Sequence, residues 1–269
     1  MEIKTKVVPG HPEFWDVGYE TAPGFFEAVR TLEPILNEIF GAGPSEPLAK
    51  VCRHIAKTVC NSIGALIVLA CNGYGNDAMK IARSMFEGAV TVGYLKKHPG
   101  ELQDYMDFVW ISNRKLIGFL EDHAPQLVKN IPHETLLESE KQYQSVVCRF
   151  TNSAGKVRTH WCRQPFRQMV ADVGLADWYL SFYHLASAMH HVDMRGLTSQ
   201  VERNEDPEVL DADVAPSGAW IEQALIAGHI SVVFVLEHYV ELSGLDKRPL
   251  VEKAIHELRT AWAPTPPTV

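Results

Sequence analysis

The sequence predicts an all-α protein, a single bundle of about seven to nine helices, and three observations carry that prediction. Apolar residues recur every three to four positions over long segments. Glycine and proline gather between those segments, as in GAGP at 41–44, NGYGND at 72–77 and HPG at 98–100. Two segments are almost without charge: Ile81 to Leu95 carries only Arg83 and Glu87, and Trp178 to Val192 carries no Asp, Glu, Lys or Arg. A helix uncharged around most of its girth is buried on most sides.

Taken in order, residues 1–22 contain Pro9, Gly10 and Pro12 and read as an irregular arm. FFEAVRTLEPILNEIF follows with helical spacing through Phe25, Val29, Leu32, Leu36 and Phe40, and Gly41, Gly43 and Pro44 close it. Ser45 is expected to cap the next helix, with Pro47 in its first turn. That helix runs to about Asn72 with no charge after Lys57, which makes it central. Asn76 or Asp77 is expected to cap the helix carrying Arg83, which ends near 98–100. The segment 101–123 is amphipathic, with Leu102, Tyr105, Met106, Val109, Leu116 and Leu120 on or near one face, and should pack from one side. Pro132 opens a helix to Phe150, 151–165 is a loop, PFRQMVADVG a short helix, and Leu175 begins the helix that holds Tyr183 to His191.

The acidic stretch 198–214 reads as a long loop or a small β-hairpin. Pro216 and Ser217 start a helix that includes SVVFV, whose β-branching also suits a strand; its length favours helix. An amphipathic helix over 246–262 comes last. The predicted organisation is therefore an arm over 1–22, one helical domain over 23–262 and a flexible tail over 263–269.

Composition narrows the function classes. The chain has 269 residues, 46% hydrophobic and 22% charged, which is enough to bury a sizeable core. A formal charge of −8 argues against a surface that is wholly a nucleic-acid footprint. Strictly apolar runs such as Ile63 to Ala70 are too short to cross a bilayer, and MEIKTKVVPGHPEFWD lacks the layout of a signal peptide. A cytoplasmic protein with no membrane partner is expected. The five cysteines are odd in number and form no CxxC pair, so they read as small buried hydrophobes.

The chemistry-bearing residues sit on the two uncharged helices. Arg83, Glu87, Val90 and Tyr94 fall on one stripe, so the arginine and the carboxylate can touch one turn apart. They read either as a structural ion pair that fixes helix packing or as an anion-binding fork with Glu87 as orienting group or base. On the second helix Tyr183, Ser187 and His190 share one stripe, and His184, Ser187 and His191 share another. A serine nucleophile lacks an Asp to orient the histidine and a nucleophile elbow. A metal site on His184, His191 and Asp193 lacks an HExxH or ExxH partner. No cofactor or metal is expected. What stays open is His190 or His191 acting as acid, base or anion ligand with Arg83 across the seam.

ARSMFEGAVTVGYL, followed about a hundred residues later by YHLASAMHHVDMRGL, resembles a bacterial family of helical proteins known only as a domain of unknown function. The resemblance rests on a helix of the form R-S-x-x-E with a downstream tyrosine, then a helix Y-x-x-x-S with a histidine one turn later. It implies Arg83, Ser84, Glu87, Tyr94, Tyr183, Ser187 and His190 or His191 as the corresponding positions, over roughly Cys52 to Leu197. In general shape that family is similar to the HEPN bundles, several of which are RNases of toxin and phage-defence systems. Those nucleases carry an Arg, a polar residue and a His within a few positions on one helix, a spacing this sequence lacks.

Between the two helices, Lys141 to Ala171 holds Lys141, Arg149, Lys156, Arg158, Arg163 and Arg167, no acidic residue, and several aromatics. Cations mixed with aromatics suit phosphate contact and base stacking, which makes Arg158 and Arg163 candidate ligand residues. The plainer expectation is that this stretch pairs with the acidic residues Glu202, Glu205, Asp206, Glu208, Asp211 and Asp213. Two functions remain: a non-catalytic interaction module, expected to be a homodimer, or a protein that binds or processes an anionic small molecule, nucleotide or RNA.

Overall fold

The computed structural model describes residues 13–21, 23–41, 43–191, 201–203, 210–212, 218–244 and 248–260. The protein is all-α, as the periodicity predicts. The helices are α1 (Glu13–Thr21), α2 (Pro23–Gly41), α3 (Pro47–Ala70), α4 (Gly75–Lys97), α5 (Leu102–His123), α6 (Pro125–Val128), α7 (His133–Phe150) and α8 (Phe166–Asp172). After these come α9 (Ala176–Trp178), a π turn (Tyr179–Tyr183), α10 (His184–His191), α11 (Ile221–Ser243) and α12 (Arg248–Thr260). The expected hairpin forms from β1 (Val201–Arg203) and β2 (Leu210–Ala212), antiparallel, with Glu202 opposite Asp211.

The chain divides into two compact units, residues 1–97 with 169–269 and residues 98–168, where the sequence suggests one bundle over 23–262. In the first unit α11 packs against both α3 and α4, which also pack on each other. SVVFV is helical, in line with its length. α11 is long and apolar enough to cross a membrane by length and composition, but it is a core helix here, with Ala224, Leu225, Val232, Val235, Leu236 and Tyr239 buried. Two glycines let the layers close. A Cβ at Gly88 of α4 would stand 2.6 Å from Val59 Cγ2 of α3, and one at Gly228 of α11 would stand 2.9 Å from Leu66 Cδ1. Close backbone approach is what a helical glycine can supply in return for its conformational cost.

Three local expectations are corrected. Residues 13–21 are helical instead of irregular, because Trp15 and Tyr19 find an aromatic partner: Tyr19 stacks on Phe26 at 4.3 Å and Trp15 lies 6.5 Å from the same ring. Ser45 does not cap α3; Glu46 occupies that position without a side-chain bond, and Pro47 starts the helix with an amide nitrogen that needs no acceptor. Neither Asn76 nor Asp77 caps α4, since the helix begins earlier, at Gly75, leaving Asn76 Oδ1 buried without a partner and Asp77 paired with Lys80 at 2.7 Å. Residues 198–200, 213–217, 245–247 and 261–269 lie outside the described residues, so the start at Pro216 and the tail are among the expectations not described.

The second unit is built on α5 and α7. Its core is Ile111, Val146 and Phe150, with Phe108, Trp110, Tyr143, Val147 and Val157 packed around them. The apolar face expected for α5 is not the one it buries: Met106, Val109 and Leu116 are exposed, and Ile111 is the residue of α5 that is fully covered. Core packing against α7 selects the stripe that contains Phe108 and Ile111 over the wider stripe seen in sequence.

Candidate functional site

The two uncharged helices meet. α4 and α10 pack in the first unit, and the contact is polar at its centre. Glu87 Oε1 accepts from Arg83 Nη2 at 3.0 Å within α4 and from the Tyr183 hydroxyl at 2.6 Å across the seam. Arg83 Nη2 also reaches the Tyr183 oxygen at 3.4 Å, and its guanidinium carbon lies 5.4 Å from the centre of that ring. Arg83 and Glu87 meet because residues four apart on a helix are neighbours on its surface. Tyr183 arrives there because Phe86 of α4 holds its ring at 5.7 Å and the Phe182 ring at 5.9 Å.

The backbone behind Tyr183 is unusual. The amide of His184 donates to the carbonyl of Tyr179, five residues back, so a π turn breaks the helix predicted to run without interruption from Leu175. Tyr179 and Tyr183, four apart within that turn, stack at 5.2 Å. Regular α geometry resumes at once: the Ser187 hydroxyl donates to the carbonyl of Tyr183 at 2.8 Å.

Electrostatically the seam is half closed. The Arg83 side chain is 16% exposed and that of Glu87 40%. Burial, and then the hydrogen bond to the Glu87 carboxylate, push the Tyr183 hydroxyl up to about 12, so it stays protonated and donates through the neutral range. Among the described residues Arg83 Nε, sealed from solvent, has no acceptor.

Of the residues singled out in the sequence, the structure brings Arg83, Glu87 and Tyr183 into one cluster, with Ser187 behind Tyr183. Tyr94 lies two turns further along α4, only 2% exposed, and is a core residue. Ser187 does not present its proton to a ligand, because that proton is bonded to a main-chain carbonyl. His190 is exposed, and the side chain of His191 is outside the described residues. Arg158 and Arg163 belong to the second unit. Arg163 is exposed there. Arg158 is held by the carbonyls of Trp161 and Arg149, both at 3.1 Å, by Asp104 at 3.5 Å and by the face of Phe150 at 4.9 Å.

Within the second unit the basic stretch has carboxylates of its own; the side chains of the acidic segment 202–213, with which the sequence pairs it, lie outside the described residues. Arg149 bonds Asp104 Oδ1 at 2.6 Å and also Asp107, the bond to Asp107 doing most to hold its guanidinium still more firmly protonated. Asp104 and Asp107, three apart on α5, are a pattern the sequence displays, although nothing local to α5 says which cations they meet. A second polar chain escaped sequence reading. Lys96 of α4 pairs with Glu241 of α11 and stands 3.1 Å from His238 Nδ1. At that distance Lys96 can donate to an unprotonated Nδ1, and burial followed by the Lys96 charge lowers the His238 proton affinity.

A family model matches residues 49–208, more than half of the chain, from α3 through the first strand of the hairpin. The chain belongs to that family, DUF5677, a family of unknown function. Its matched span contains Arg83, Glu87, Tyr183 and Ser187 together with the whole of the second unit. No curated protein and no solved structure gives a match.

Proposed function

We propose that this member of DUF5677 is a non-catalytic, cytoplasmic interaction module, working as a homodimer, in which the Arg83–Glu87–Tyr183 seam fixes the packing of α4 against α10. The observation that carries the reading is that the polar tips are committed to one another. Glu87 Oε1 takes two donors, Tyr183 keeps its proton, and the Ser187 hydroxyl bonds main chain. A nucleophilic hydroxyl must give up its proton and a general base must accept one; the Tyr183 and Ser187 protons are bonded within the protein, and Glu87 Oε1 is held by two donors. Pairing draws support from the large apolar side chains left on the surface of the second unit, among them Val109, Leu116, Phe119 and Leu137, each about half exposed or more.

Replacing Arg83 with Ala tests this reading. Thermal stability should fall, sedimentation equilibrium of the wild type should report a dimer, and ADP or a short single-stranded RNA should leave the wild-type melting curve in place. A monomer at micromolar concentration would remove the pairing half of the proposal. A second reading, binding or processing of a phosphorylated ligand, nucleotide or RNA in a HEPN-like and defence-associated setting, draws on one observation: the sealed Arg83 Nε is a donor still without an acceptor among the described residues. Melting protection by ADP or RNA in the wild type, lost in Arg83→Ala, would favour it.

A further inference from the structure

The second unit holds a cavity of about 480 Å³ between α5 and the first turns of α7. Its volume falls within the range that encloses small ligands. Trp110, Leu116 and Ile117 of α5 and Ile131 and Leu136 before and on α7 make walls that are mainly apolar. Set into them are Asn113 of α5 and four polar residues of α7: Glu134, Thr135, Glu138 and Ser139.

Ser139 is the informative one. It is 6% exposed, and its Oγ is sealed from solvent with no hydrogen-bond partner among the described residues. Later on the same helix Ser145 donates to the carbonyl of Gln142 at 2.7 Å, and Thr151, just past its end, to that of Val147 at 2.8 Å. Helical hydroxyls ordinarily take that local bond, so one left unbonded in an apolar wall is a destabilising feature unless something else supplies a partner. The carboxylates add a second unfavourable feature. Glu134 and Glu138 are one turn apart on one face, where like charges repel. Glu138 has an amide contact from Gln142 and an exposed lysine, Lys141, at 3.9 Å. Among the described residues Glu134 has no ion-pair partner, and the nearby arginine of α5, Arg114, is engaged by Glu121 and Glu140.

An unpartnered hydroxyl, two repelling carboxylates and an aromatic wall are complementary to one kind of occupant. We infer that this cavity binds a small primary amine in its protonated form, with an apolar body of roughly eight carbons or an aromatic ring. The ammonium pairs with Glu134 and Glu138 and, as the Ser139 side chain turns toward it, donates to Oγ, while the body packs against Trp110, Leu116 and Ile131. An ammonium has three donors and no acceptor, which suits the two carboxylates and the hydroxyl oxygens of Thr135 and Ser139, and the face of an indole adds cation–π attraction. No residue of the Arg83 seam takes part; Leu116 is shared with the exposed apolar side chains behind the pairing reading, and amine binding by titration is read separately from the oligomeric state.

Isothermal titration of the full-length chain with n-octylammonium tests it, with octanoate and 1-octanol as probes of the same length and different head. Octylammonium should bind one to one, and octanoate at least about tenfold more weakly. Glu134→Gln and Glu138→Gln, which keep the shape of exposed side chains, should each weaken octylammonium by roughly up to fivefold, as for an exposed ion pair. Both should leave 1-octanol unchanged. Ser139→Ala should weaken octylammonium with its melting temperature kept or raised, since it removes an unbonded polar group. Equal affinity for the three probes would reduce the cavity to an apolar hole, and absence of octylammonium binding would overturn the inference. Binding that is indifferent to Glu134→Gln and Glu138→Gln would place the amine elsewhere and overturn it equally.

Discussion

Removing one oxygen atom tests the seam most sharply. Tyr183→Phe keeps the ring that packs on Phe86 at 5.7 Å and under Arg83 at 5.4 Å, and deletes only the hydroxyl that donates to Glu87 at 2.6 Å. A hydrogen bond to a charged acceptor contributes about 1.5–3 kcal/mol. Glu87 is 40% exposed and retains Arg83 at 3.0 Å, so water and the arginine replace part of the loss and about 1 kcal/mol remains. For a chain of this size that is a fall in Tm of roughly 2–4 °C. Calorimetry at neutral pH reads it directly.

A second readout comes from alkaline titration. The folded Tyr183 proton affinity lies above that of the unfolded chain, so its stabilising contribution is complete below pH 10 and disappears as pH rises through about 12. Wild type should therefore lose stability across that window more steeply than Tyr183→Phe, and the tyrosinate absorbance difference between them should titrate near 12. Equal stability at pH 7, with a difference spectrum that titrates at the ordinary tyrosine value, would refute the account of the seam.

Other perturbations reach other parts of the first unit. Gly88→Ala gains helix propensity of about 1 kcal/mol but places a methyl 2.6 Å from the stiff Val59 side chain, so a net loss of about 1 kcal/mol is expected in urea unfolding. Adding Val59→Ala should relieve the clash, so the double variant should be more stable than the sum of the single effects allows. His238 has a lowered proton affinity when folded; its contribution is complete above pH 6.5 and is lost as pH falls through the folded value. His238→Gln should accordingly flatten the decline in Tm on acidification, measured from pH 7.5 to 5.

Much of this fold is legible in residue pattern, for physical reasons that differ by element. α3, α4 and α11 announce themselves because a helix buried on most sides must exclude charge along its length, and that exclusion is visible without partners. The meeting of α4 with α10 follows from the same exclusion, since few polar tips on buried helices must find each other. What pattern conceals is whatever depends on a partner from elsewhere in the chain. α1 is helical because Phe26 receives Trp15 and Tyr19, and nothing in EFWDVGYET alone says so. The break into two units is marked at 98 only by the HPG that also reads as an ordinary turn between helices, and at 168 it falls inside α8. Tyr183 as the donor to Glu87, in place of the two histidines two turns later, depends on the π turn. Its local sequence, YLSFY, contains neither Gly nor Pro to betray it.

That turn has a consequence for how the chain tolerates length changes. One surplus residue in the helical repeat puts everything after Tyr183 about a quarter-circle out of phase with everything before Tyr179. Excising a single position, Leu180, which is 66% exposed, would let the segment rewind as ordinary α-helix. The expected outcome is that the phenol, bonded to Glu87 at 2.6 Å, leaves the carboxylate, which loss of the tyrosinate absorbance that titrates near 12 would report. The geometry that delivers a hydroxyl to Glu87 is thus encoded as a count of residues as well as by their kinds.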